Sequence, residues 1–192
     1  MKGKFKISLN APVVLGFALI CFIATLLGEL SDGKITMKLF MTYRASMTNL
    51  LTYLRMFTHV FGHGGWTHFI GNMSYILLLG PLLEEKYGGK NLIEVIAITA
   101  VITAILNAIF FSNVALCGAS GVVFAFILLS SFTSFREGEI PITFILVAVI
   151  YIGQQVYEGI MVDDNVSNLS HVLGGIIGAI SGFVYNKEKR NA

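Results

Sequence analysis

Five long stretches without a charged residue limit the fold of this chain more than any other feature of its sequence. None of them contains Asp, Glu, Lys or Arg, and they cover residues 7–28, 56–83, 95–135, 140–157 and 165–186. A helix needs about 20 apolar residues to cross the hydrocarbon core of a bilayer. Across the chain only 12% of residues are charged, against roughly 25% in soluble domains. The sequence therefore predicts an all-α membrane protein.

The number of helices follows from the lengths of these stretches. The stretch 95–135 is too long for one crossing, and Ser112-Asn113 near its middle is typical of a turn. We therefore predict a six-transmembrane-helix bundle that forms a single domain over residues 1–192, with a membrane-associated loop at 31–58. The predicted helices lie at about 10–30, 66–84, 91–111, 118–135, 140–158 and 168–186.

The distribution of Lys and Arg predicts the orientation. Six crossings place both termini on one side of the membrane, and nine of the 13 basic residues fall on that side. Positive charge accumulates on cytoplasmic loops. We expect a multi-pass protein of the cell membrane with cytoplasmic N- and C-termini. The small positive net charge reflects this topology and does not indicate nucleic-acid binding.

Polar side chains gather near one predicted membrane face, the outer one. Ser120 lies in the first turn of the fourth helix and His171 in the first turn of the sixth. His63, His68 and Asn72 lie at the start of the second helix. With a rise of about 1.5 Å per residue, all five lie within a few turns of that face. Polar residues inside a bilayer usually face the bundle interior and mark a functional site.

These residue types suit nucleophilic catalysis. A serine hydroxyl becomes a strong nucleophile when a histidine takes its proton, and Ser120 with His171 would supply that pair. No carboxylate lies within the predicted spans near them, so the sequence predicts a dyad and not a triad. His68 and Asn72 are four residues apart, hence on one helix face, and both can donate hydrogen bonds to an oxyanion.

Close helix packing would bring the dyad together. Gly174, Gly178 and Gly182 form a face of small residues below His171, a pattern that lets membrane helices approach backbone to backbone. Gly118 and Gly121 remove bulk around Ser120 on the other helix.

Three motifs together resemble the rhomboid family of intramembrane serine proteases, of the bacterial six-helix type. They are His-x-x-x-Asn in "HGGWTHFIGN", Gly-x-Ser-Gly in "GASG", and His-x-x-Gly-x-x-x-Gly in "SHVLGGIIG". The similarity runs from about Leu54 to Gly182, and "EEKYG" at 84–88 resembles the family's Glu-x-x-x-Gly signature. No single motif is specific, whereas the set in this order is highly specific.

The resemblance implies a role for each matching residue. Ser120 would be the nucleophile and His171 its base, while His68, Asn72 and the Ser120 backbone N–H would form the oxyanion hole. It also implies single-pass transmembrane proteins as substrates, cleaved at a site that opens to the outer face. No cofactor and no metal is expected.

Two positions depart from the family pattern. Arg55 matches the arginine of a Trp-Arg pair in the membrane-associated loop, but Leu54 replaces the tryptophan. Phe124 stands where tyrosine often stacks on the catalytic histidine, so the aromatic face is kept and the hydroxyl is lost.

Other functions remain open at this point. His59, His63 and His68 could converge on a metal ion, although Val60 replaces the glutamate of a zinc-protease motif. A catalytically weak relative could bind membrane proteins without cutting them. A transporter would be expected to place charge or broken helices at the midplane, where only Asn107, Gln154, Gln155 and Pro81 are available. The role of Cys117, three residues before Ser120, is undecided.

Overall fold

Helices make up the regular structure of the chain as far as it is described. The computed structural model describes residues 9–111, 113–133, 139–161 and 168–191. Within these ranges the helices are α1 (Pro12–Leu30), α2 (Lys34–Leu39), α3 (Leu50–Thr58), α4 (Trp66–Tyr87), α5 (Gly89–Phe110), α6 (Ser120–Ser130), α7 (Ile142–Met161) and α8 (Asn168–Asn191). The prediction of an all-α fold is confirmed for these residues.

Three helices are long and apolar enough to cross a membrane by length and composition. They are Pro12–Leu30, Gly89–Phe110 and Asn168–Lys187, and two shorter apolar helices cover Ser120–Ser130 and Ile142–Tyr151. The α4 helix has 22 residues, about 33 Å at the standard rise, but its polar residues lower its hydropathy. Six crossings therefore stay a prediction.

The α6 helix forms the centre of the bundle. Every residue from Gly121 to Leu129 except Phe124 is buried, as expected for a helix that is apolar on all sides. It packs against α4, α5, α7 and α8. Its 11 residues span only about 16 Å, so it is much shorter than the helices around it.

The start of α1 is held by a buried carboxylate on α4. Pro12 occupies the first turn, where its missing N–H costs no hydrogen bond. The backbone N–H groups of Val13 and Val14 donate to the two carboxylate oxygens of Glu84, each at 3.0 Å. A carboxylate at a helix N-terminus satisfies unpaired donors and interacts favourably with the helix dipole. Glu84 is the first residue of the Glu-x-x-x-Gly signature.

The predicted membrane-associated loop contains the two short helices α2 and α3. Arg55 of α3 is buried, its Nε donates to the Lys38 carbonyl at 2.9 Å, and its guanidinium lies 4.7 Å from the centre of the Tyr43 ring. Leu54 is 45% exposed. Arg55 thus joins α3 to α2 without an aromatic neighbour at position 54.

Several helix boundaries differ from the predicted ones, and the end of α6 is among those that differ most. The α6 helix ends at Ser130, before the predicted end at 135, because the backbone tightens into bonds from Ser131 to Leu128 and from Phe132 to Leu129. The predicted turn at Ser112-Asn113 is present at Asn113, while Ser112 lies outside the described residues.

Candidate active site

Ser120 and His171 are in direct contact. Ser120 is the first residue of α6, and His171 lies in the first turn of α8. The His171 Nε2 and Ser120 Oγ atoms are 2.8 Å apart, within the normal range of a hydrogen bond. His171 is 8% exposed. The sequence predicts that Ser120 and His171 lie at a similar depth in the membrane and can meet. In the structure their side chains are in contact.

Glycines on α8 make this contact possible. A Cβ atom on Gly174 would overlap the carbonyl of Gly121, and one on Gly178 would overlap the carbonyl of Ala125. One turn further, a Cβ atom on Gly182 would lie 2.6 Å from the Phe132 ring. The predicted close packing of α6 and α8 is confirmed at Gly174 and Gly178, while Gly182 packs against a residue just beyond the end of α6.

Phe124 covers one face of the histidine. The Phe124 and His171 rings are parallel within 5°, with centroids 4.6 Å apart. Phe124 lies one helical turn after Ser120, so its side chain projects from the same side of α6. The aromatic face expected at this position is present.

His68 and Asn72 converge on Gly118, two residues before Ser120. A Cβ atom on Gly118 would lie 2.8 Å from His68 Nε2 and 3.6 Å from Asn72 Nδ2. Gly118 also has φ +130°, a conformation that favours glycine. Asn72 is 7% exposed, and its Nδ2 has no hydrogen-bond partner among the described residues. The Asn72 side chain is thus a buried amide donor that is available to a ligand.

The segment before Ser120 is held by three anchors that the sequence did not reveal. Leu116 and Thr42 exchange backbone hydrogen bonds of 2.8 and 2.9 Å. The Gly118 N–H donates to the His59 carbonyl at 2.9 Å, and Asn107 Nδ2 donates to the Val114 carbonyl at 2.8 Å. Asn107 stood out in the sequence only as a polar residue within an apolar span.

His59 and His63 do not join the dyad. His59 Nε2 lies 3.0 Å from the Ala100 carbonyl, so this nitrogen carries the proton and donates. Burial lowers the pKa of His59 and of His63, which favours neutral rings. The His63 ring meets that of His68 edge to face at 5.1 Å. Among the described residues, no group of three His, Cys, Asp or Glu could hold a metal ion.

A cavity of about 430 Å³ opens beside these residues. Ser120, His171, His68, Asn72 and Phe124 all line it. None of the described residues in its wall is Asp or Glu, which fits a dyad without a carboxylate.

Cys117 also lines the cavity. Burial raises the pKa of its thiol, which keeps it in the protonated, weakly nucleophilic form. The Ser120 hydroxyl, in contrast, lies 2.8 Å from the imidazole nitrogen Nε2 of His171.

The chain is a bundle of apolar helices with a Ser-His contact beside a cavity, an arrangement that suits a hydrolase. Comparison with known proteins places the chain in a family. The rhomboid domain model matches residues 51–188. The chain therefore belongs to the rhomboid family of intramembrane proteases.

Individual relatives are similar at low identity. Rhomboid protease GlpG of Haemophilus influenzae is 23% identical over 194 residues, covering 100% of this chain and 95% of that protein. Rhomboid protease GlpG of Serratia proteamaculans is 22% identical over 90% of this chain and 62% of its own length. RHOMBOID-like protein 4 of Arabidopsis thaliana is 28% identical over 64% of this chain, and the match spans 31% of that protein.

Proposed function

We propose that the chain is an intramembrane serine endopeptidase in which Ser120 is the nucleophile and His171 the general base. The observation that carries this proposal is the 2.8 Å contact between His171 Nε2 and Ser120 Oγ. A nucleophile and base within hydrogen-bond reach are the geometric signature of acyl-transfer catalysis.

The reaction follows from this contact. His171 Nε2 accepts the hydroxyl proton as Ser120 Oγ attacks the scissile carbonyl carbon. The protonated His171 then gives this proton to the departing amine, which leaves an ester on Ser120. Water attacks the ester with His171 again as the base, and Ser120 recovers its proton. The parallel Phe124 ring presents its negative face to the imidazolium, which stabilises the charge in place of a carboxylate.

The developing oxyanion would be bound beside Gly118. Asn72 Nδ2, His68 Nε2 and the backbone N–H of Ser120 are the proposed donors. Support comes from the unpartnered Asn72 amide and from the position of Ser120 at a helix start, where backbone N–H groups lack intrahelical partners.

The proposed topology has six crossings in one domain, with both termini in the cytoplasm and the site opening to the outer face. The short length of α6 supports a position of Ser120 inside the membrane. At about 16 Å it covers half of a hydrocarbon core of about 30 Å, so its first residue would lie inside the membrane. Water would reach Ser120 from the outer face through the cavity.

The proposed substrates are transmembrane segments of single-pass proteins, with the lipid bilayer as the surrounding medium. A segment that is already in the membrane would enter laterally, between α4 and α7. The cavity wall on the α4 side includes Thr67, Gly71 and Tyr75, which are exposed. A helical peptide bond is shielded, so the segment must unwind locally before Ser120 can attack.

One experiment tests the proposal. The purified protein is incubated with a defined single-pass substrate and, separately, with a fluorophosphonate probe, alongside Ser120→Ala. We expect cleavage and covalent labelling at Ser120 in the natural protein and neither in the variant.

Two outcomes would replace the proposal. Binding of the substrate without cleavage or labelling would indicate a membrane-protein binding factor. Loss of turnover in EDTA that zinc restores would move the chemistry to His59, His63 and His68.

A further inference from the structure

The inward face of α7 ends at Tyr151. Phe144, Val147, Ala148 and Tyr151 pack against the core of the bundle, and their spacing of three and four residues places them on one helix face. Beyond them, Gly153, Gln154 and Tyr157 are exposed. Tyr151 is therefore the last core contact of α7 toward its C-terminal end among the side chains that are described.

Tyr151 contacts the ring that stacks on the catalytic histidine. The Tyr151 and Phe124 rings meet edge to face, with centroids 5.9 Å apart and an interplanar angle of 81°. Phe124 in turn lies parallel to His171 at 4.6 Å. Three aromatic rings thus form a continuous series from α7 through α6 to α8.

Phe124 depends on packing for its orientation. A tyrosine at this position could fix its ring with a hydroxyl hydrogen bond, whereas phenylalanine has no polar atom. Edge-to-face contacts between aromatic rings are directional and add stabilisation beyond buried area. Tyr151 therefore supplies an orienting contact that Phe124 cannot provide for itself.

We propose that Tyr151 is a positioning residue that holds Phe124, and through it the His171 ring, in the geometry required for proton transfer. This inference rests on the proposed function of Ser120 and His171. It requires that α7 stay packed against the bundle as far as Tyr151 during turnover.

The test compares three variants by the rate of fluorophosphonate labelling at Ser120 and by kcat and KM on a single-pass substrate. Tyr151→Leu removes the ring, Tyr151→Phe keeps it, and Tyr157→Leu is the matched control on the exposed part of the same helix. For Tyr151→Leu we expect labelling and kcat to fall about 2- to 10-fold, the worth of one aromatic pair, with KM unchanged. Tyr151→Phe should keep the labelling rate and kcat of the natural protein. Tyr157→Leu should be labelled at the natural rate.

A double variant separates positioning from general damage. Tyr151→Leu added to Phe124→Leu should cause no further loss, because the two residues act as one unit. If Tyr151→Leu does not fold, Tyr151→Met fills similar space without a ring and takes its place.

Two results would overturn the inference: labelling of Tyr151→Leu at the natural rate, or a loss in Tyr151→Phe equal to that in Tyr151→Leu. Absence of labelling in the natural protein would instead overturn the proposed function.

Discussion

The backbone of Gly174 on α8 lies directly against the carbonyl group of Gly121 on α6, so that a Cβ atom at position 174 would lie 2.8 Å from the Gly121 carbonyl carbon. Gly121 follows Ser120, and Gly174 lies three residues after His171. This backbone contact therefore sets the distance between the two proposed catalytic side chains.

A methyl group at position 174 should damage both stability and activity. We expect Gly174→Ala to destabilise the fold by about 1–3 kcal/mol, the usual cost of overpacking, and to lower turnover because α8 must move away from α6. Thermal unfolding in detergent and substrate cleavage measure the two effects. Gly16→Ala is the matched control, since no atom lies within 4 Å of a Cβ atom there. Equal behaviour of the two variants would contradict the proposed role of the contact.

The dyad should behave as a single unit in mutagenesis. Ser120→Ala and His171→Ala should each abolish cleavage while the protein stays folded, and the double variant should be no worse than either one. Cleavage assays with unfolding curves for all three proteins check this. Activity retained in Ser120→Ala and lost in Cys117→Ala would instead assign the nucleophile to the thiol.

Asn72 should act mainly in the transition state. We expect Asn72→Ala to lower kcat by about 10²–10³, the usual effect of removing one oxyanion donor, with a smaller change in KM. Asn72→Asp keeps the shape but replaces the donor by a carboxylate, so it should be at least as slow. Ser74→Ala, at an exposed position of the same helix, is the control. An effect confined to KM would make Asn72 a substrate-positioning residue.

The helical fold and the contact between Ser120 and His171 could be predicted from the sequence, and the reasons are physical. Uncharged stretches predict helices because a bilayer excludes unpaired charge and unpaired backbone groups. Ser120 and His171 were predicted to meet because both begin helices at the same face and glycines permit close packing. The 2.8 Å contact between them agrees with that prediction, while their roles stay a proposal.

Other features depend on contacts that no local pattern encodes. Thr42 and Leu116 pair through backbone atoms across two loops, and any residue can supply such atoms. Glu84 is the last residue of the second predicted helix, and the sequence does not indicate that it is buried against the start of α1. Helices α2 and α3 are too short to leave a clear periodicity in the predicted loop.

Glu84 gives a stability prediction that is independent of catalysis. Glu84→Gln should destabilise the fold by about 1–3 kcal/mol, because one of two charge-assisted hydrogen bonds to the start of α1 is lost. Activity per folded molecule should be unchanged, since Glu84 is 12 residues, about 18 Å, along α4 from Asn72. Thermal unfolding and active-site titration measure the two quantities. Glu85→Gln, at the exposed neighbouring position, should have little effect.

The part of α7 beyond Tyr151 should control the entry of transmembrane substrates. Tyr157 is 62% exposed, and a Cβ atom on Gly153 would meet no other atom within 4 Å, so neither position is packed against the rest of the bundle. The helices that carry the dyad must stay rigid to keep hydrogen-bond geometry. We expect Tyr157→Ala to raise the rate of cleavage of a single-pass substrate and to leave fluorophosphonate labelling unchanged, because the small probe does not need a lateral opening.

Cross-linking provides the converse test of this gate. The variant carries Cys21→Ala and Cys117→Ala, which remove the natural thiols, together with Ile70→Cys on α4 and Tyr157→Cys on α7. A reducible bifunctional reagent then joins the two introduced cysteines. Cleavage of the transmembrane substrate should fall, labelling by the small probe should persist, and reduction should restore cleavage. Persistent labelling shows that the dyad is intact, so the loss of cleavage can be attributed to entry. A cross-linked enzyme that still cleaves at the natural rate would place the gate elsewhere, at the loop over residues 31–58.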